Sequence, residues 1–96
     1  MYGIVMHDYM RDYLSQEFVI VYGNTKTDVT TNAWEKLMED MKDDIEQLQL
    51  DHDNKNVTKK SFAKAIIDNE NSADGLYFSY PFSLYVKIFE IPDQIK

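Results

Sequence analysis

Carboxylates are the residues here whose type and spacing suggest chemistry. Glu35, Glu39 and Asp43 stand four apart, and Asp40 and Asp44 form a second row at the same spacing. On a helix, each row is a ladder of negative charge with successive side chains about 5–6 Å apart. That pitch is comparable with the phosphates of a nucleic-acid strand. Like charges so placed cost roughly 0.2–0.5 kcal/mol per pair, and Lys36 with Asp40 and Lys42 with Glu46 offset part of it. From Asp28 to Asn56, nine acidic residues stand against Lys36, Lys42 and Lys55, which accounts for −6 of the net charge of −7. Such a surface repels polyanions, so a basic partner is expected and direct nucleic-acid binding is not. A charged face also serves to keep a helix solvated, and that reading stands beside the functional one.

Other constellations fail on spacing. Asp51 and Asp53 open like a calcium loop, but Lys55 follows, Asn56 stands where the sharp turn needs glycine, and Phe62 stands where a glutamate should close the shell. His7 with Asp8 and Asp12, and His52 with Asp51 and Asp53, lack the spacing of a zinc motif. Ser15, Ser61, Ser72, Ser79 and Ser83 sit in no nucleophile-elbow context, and the glycines form no phosphate-binding loop. The expectation is a protein that is not an enzyme, with no catalytic residue, metal or cofactor.

The C-terminal segment carries Tyr77, Phe78, Tyr80, Phe82, Tyr85 and Phe89, more aromatic area than one face of a small core uses. Aromatics on a sheet can stack bases, but Lys87 is the segment's only cation to meet phosphate. Tyr77, Tyr85 and Phe89 therefore suit a protein partner or a homodimer, unless they are ordinary core and strand residues.

These residues need elements to position them, and length bounds what the chain can build. Ninety-six residues suit one domain, 1–96, in which roughly 60–65% of the extended surface is buried around one core. At 44% hydrophobic and 28% charged, the composition is that of a chain that folds without a partner. The absence of cysteine favours the cytoplasm. The N-terminus reads as no signal peptide, and with no run of 18 apolar residues membrane insertion is not expected.

The spacing of Met6, Tyr9, Met10, Tyr13 and Leu14 favours a helix to about Ser15, although Tyr2 to Met6 suits a short strand equally. Phe18 to Tyr22 is apolar at every position and predicts a central strand stopped by Gly23-Asn24. Asn32 followed by Glu35 has the form of a capping box. A helix over 33–50 follows, with Trp34, Leu37, Met38, Met41, Ile45 and Leu48 as its apolar stripe. Thr58 is the expected cap of a second helix ending near Asp68, with Phe62, Ala65 and Ile66 inward. Leu76 to Ile91 is β, broken or bent at Pro81, with Leu84, Val86 and Ile88 alternating against Tyr85, Lys87 and Phe89.

This order predicts an α+β fold: a small, mainly antiparallel sheet of about three strands with two or three helices packed on one face. Small size, no cysteine, concentrated acidity and no catalytic motif together resemble the phage- and plasmid-encoded inhibitors of host defence, such as anti-CRISPR and anti-restriction proteins. The resemblance is one of composition. It implies a protein of the host cytoplasm that blocks a nucleic-acid-binding surface. The expected role is an inhibitor that lays Glu35, Glu39, Asp40, Asp43, Asp44 and Glu46, with Asp51 and Asp53, into a basic groove of a nucleic-acid-processing protein. The alternative is an accessory module that oligomerises or docks through Tyr77, Tyr85 and Phe89.

Overall fold

The computed structural model describes residues 1–8, 18–41, 49–50, 57–71, 75–79 and 84–92. Its elements run β1 (Tyr2–Asp8), β2 (Phe18–Gly23), α1 (Lys26–Met41), β3 (Gln49–Leu50), α2 (Lys59–Asp68), β4 (Leu76–Ser79) and β5 (Leu84–Glu90). The strands form one antiparallel sheet in the order β2-β1-β5-β4-β3. The α+β class and the helices on one face are as expected, but the sheet has five strands rather than three.

Three local expectations give way. Residues 2–8 form a strand, not the start of a helix, because β1 is held on both sides: Ile4 pairs with Val21 and with Ile88, and Met6 with Val19 and with Val86. Two flanking ladders hold residues 2–8 extended, as the short-strand alternative for Tyr2 to Met6 had it, and the rest of the expected helix, from Tyr9 to Ser15, lies outside the described residues. β2 lies at the sheet edge, not its centre, so its apolar run does not mean burial on both faces. Gln49 and Leu50 pair with Ser79 and Phe78 in β3, whereas the 33–50 helix would have ended on them.

Helix α1 begins seven residues before the predicted start. Thr25 Oγ1 accepts a hydrogen bond from the Asp28 amide at 3.0 Å, which is the cap that Asn32 was expected to supply. Asn32 instead lies inside the helix and donates from Nδ2 to the Tyr22 carbonyl at 2.7 Å. The earlier start extends the buried stripe to Val29, Thr30 and Ala33 ahead of Trp34 and Leu37, while Met38 is half exposed. The buried Thr30 hydroxyl is satisfied within the helix, 3.0 Å from the carbonyls of both Lys26 and Thr27. Gly23 makes the tight entry: a Cβ there would lie 2.4 Å from the Val29 backbone nitrogen, so a glycine lets helix and strand approach.

The second helix follows its signals. Thr58 Oγ1 accepts from the Ser61 amide at 3.2 Å, and Ser61 Oγ accepts from the Thr58 amide at 2.8 Å, a reciprocal capping box. The helices cover one sheet face, α1 over β1 and β2, and α2 against α1 and β5. Ile4, Met6, Val19, Phe78, Leu84, Val86 and Ile88 point into that core. Trp34, Phe62 and Phe78 bridge α1, α2 and β4, with ring centroids 5.3 Å and then 5.4 Å apart. The connection 80–83 between β4 and β5 lies outside the described residues. No described helix is long and apolar enough to cross a membrane.

Candidate functional site

Because side chains alternate across a strand, the register that sends Ile4, Met6, Val19 and Val86 to the helices sends their neighbours to the opposite face. There, β2 contributes Phe18, Ile20 and Tyr22; β1 contributes Gly3, Val5 and His7; β5 contributes Tyr85, Lys87 and Phe89; and β4 contributes Tyr77. They form cross-strand rows. Phe18, His7, Tyr85 and Tyr77 make a continuous row over four strands. Within it, His7 stacks on Phe18 with centroids 4.2 Å apart, and Tyr77 tilts against Tyr85 at 5.2 Å. Ile20, Val5 and Lys87 form the next row, then Tyr22, Gly3 and Phe89. The Phe89 ring lies against Gly3, where a Cβ would meet its Cζ at 2.5 Å.

Neither described helix covers this face. Phe18 is 53% exposed, Ile20 48%, Tyr22 52%, Tyr77 42% and Phe89 37%, in one contiguous patch rather than scattered. Clustered apolar exposure of this kind marks interaction surfaces, whereas single exposed apolar residues do not. Tyr77, Tyr85 and Phe89 thus share one face. Phe18, Ile20 and Tyr22 extend it, and a sequence reading that made their strand central overlooks them. No alternation in polarity marks them, because Phe18 to Tyr22 is apolar at every position.

The acidic surface is less uniform than its sequence. Glu35 is exposed and the Glu39 side chain is 75% exposed, both on the outer side of α1. The Asp40 side chain is only 8% exposed, and Lys36 Nζ sits 3.4 Å from its Oδ1 and 3.8 Å from Glu39 Oε1. One lysine thus faces two of the expected contact residues, of which the Asp40 side chain is largely buried and Glu39 stays exposed. Asp43, Asp44, Glu46, Asp51 and Asp53 lie outside the described residues. Among the described residues, no three His, Asp or Glu side chains are grouped to hold a metal ion.

Elsewhere, Lys26 Nζ joins Glu70 Oε2 at 2.6 Å, tying the start of α1 to the end of α2, and lies 5.8 Å from the centroid of the Tyr2 ring. The hydrogen bond to Glu70 raises the Lys26 pKa above its ordinary 10.5, against a smaller desolvation effect that lowers it.

Compared with protein-family models, with curated proteins and with solved structures, the chain matches none.

Proposed function

We propose that this chain is a non-enzymatic binding protein that docks onto a partner protein through the open face of its sheet. The observation that carries this reading is the placement of Phe18, Ile20, Tyr22, Tyr77 and Phe89 together on one uncovered face. Aromatic anchors of this kind dominate binding energy in the centres of protein interfaces. Among the described residues Lys87 is the face's one lysine, and the chain's net charge is −7, which weighs against a nucleic-acid strand on this face and for a protein. The same net charge selects partners with basic surface around their contact patch. A chain with no cysteine suits a reducing compartment such as the cytoplasm.

The test pairs the native chain with a Tyr77→Lys, Phe89→Lys variant in affinity capture at low and high salt. A partner held by the native chain at both salt concentrations and lost by the variant supports the reading. A partner held equally by both proteins overturns it.

A second reading, an inhibitor whose acidic helix occludes a basic groove of a nucleic-acid-processing protein, is favoured by the exposed Glu35 and Glu39, one turn apart on α1. Its mark is capture that disappears at high salt and on changing Glu35→Lys and Glu39→Lys together, since screening weakens long-range attraction. Capture insensitive to both changes removes it.

A further inference from the structure

We propose that the outer edge of β2 accepts an extended segment of the partner as a sixth strand, a segment in which apolar residues alternate with Lys or Arg. The inference rests on the reading of the chain as a binding protein and assigns the mode and chemistry of one contact.

The direction of the backbone carries it. The Ile91 amide donates to the Met1 carbonyl at 2.8 Å, continuing the β1–β5 ladder. Bonding pairs alternate along an antiparallel ladder, so Gly3, Val5 and His7 bond to β5, and Ile4 and Met6 bond to β2. Their partners on β2 are Val21 and Val19. Phe18, Ile20 and Tyr22 therefore turn their backbone groups outward. The Asn32 side chain, reaching the Tyr22 carbonyl at 2.7 Å, marks that same outward direction independently.

Edge strands in soluble proteins are blunted by lysine, proline, bulges or a cover. Residues 18–25 contain no charge and no proline, and the register with β1 runs unbroken from Phe18 to Gly23. Asn32 closes one carbonyl at the Tyr22 end. The outward groups of Phe18 and Ile20 pair with no described strand.

The two sides of this edge differ in chemistry. Toward the open face, an incoming strand meets Phe18, Ile20 and Tyr22. Toward the helices it meets α1, where Asp28, Asn32, Glu35 and Glu39 succeed one another at steps of four, three and four on the same helix face. Lys36 is the one cation of that stretch and is held between Glu39 and Asp40. Beside the Tyr22 end, an open groove of about 340 Å³ next to Asn24, Asp28 and Asn32 gives room for a cationic side chain. Alternation in the segment then places apolar side chains on the aromatic side and cations on the carboxylate side. A second copy pairing β2 to β2 would instead bring two acidic α1 helices together across the two-fold axis, which like-charge repulsion opposes.

The experiment uses the full chain and three synthetic peptides of about eight residues, the length of an ordinary strand. One alternates Val with Lys, one alternates Val with Glu, and one is the first with a central proline. Affinity is read by fluorescence anisotropy, and amide hydrogen exchange locates the site. The Val–Lys peptide should bind about tenfold or more tightly than either control and slow exchange at the Phe18 and Ile20 amides. Glu35→Lys with Glu39→Lys should abolish its advantage over the Val–Glu peptide. Equal binding of the three peptides, protection away from β2, or a concentration-dependent dimer that protects these amides without peptide would overturn the proposal. The Tyr77→Lys, Phe89→Lys variant should still bind the Val–Lys peptide. If it loses the partner while the peptide never protects β2, the open-face reading stands and the strand-addition proposal fails alone.

Discussion

His7 and Phe18 stack across β1 and β2, their ring centroids 4.2 Å apart and their planes 18° from parallel. The pair closes one end of the aromatic row that crosses four strands. A double-mutant cycle with His7→Ala and Phe18→Ala, followed by urea unfolding, should give a coupling of about 0.5–1.5 kcal/mol. Additive single effects would mean the contact adds nothing beyond area.

The cap of α1 separates the observed helix start from the one suggested by sequence. Thr25→Ala should cost about 1 kcal/mol through loss of its bond to the Asp28 amide. Asn32→Ala should cost about 0.5–1.5 kcal/mol, the typical net worth of one hydrogen bond. It should also leave the exchange protection of the Val29 and Thr30 amides unchanged. Loss of helix from residue 26 onward in the Asn32 variant would contradict the structure.

Packing is tested by residues of similar hydrophobicity but unlike position. Phe62 is fully buried between Trp34 and Phe78, so Phe62→Ala should destabilise by about 3–5 kcal/mol. Met38 is half exposed, and Met38→Ala should stay within about 0.5 kcal/mol of the native chain. Comparable losses from both would restore Met38 to the core stripe.

The Lys26–Glu70 pair has a pH signature. Because the Lys26 pKa is raised in the folded state, its contribution is fully present below the ordinary value of 10.5 and is lost as pH rises through the folded value. The stability difference between the native chain and Glu70→Gln should therefore hold steady over neutral and mildly alkaline pH and shrink above 10.5. A difference that grows with alkalinity would refute the assignment.

Much of the candidate surface was legible in residue pattern. Tyr85 and Phe89 share a face by alternation within β5, and the Leu84, Val86, Ile88 set is buried as that alternation demands, while the register with β4 adds Tyr77. Thr58 caps α2 because a capping box is a local arrangement of a few neighbouring residues. What misled was strand position. An apolar strand such as Phe18 to Tyr22 looks the same at the edge of an exposed aromatic face as in the middle of a covered sheet.

Local chemistry in this chain determined the α+β class, the second helix with its cap, the alternation of β5 and the acidity of the 28–56 stretch, because each depends on neighbours within a few residues. Tertiary structure alone decided that residues 2–8 become the strand between β2 and β5. It also decided that Phe18, Ile20 and Tyr22 remain open. The physical reason is the same throughout. Ladder partners and covering layers come from residues distant in sequence, and burial is a property of what lies across the gap.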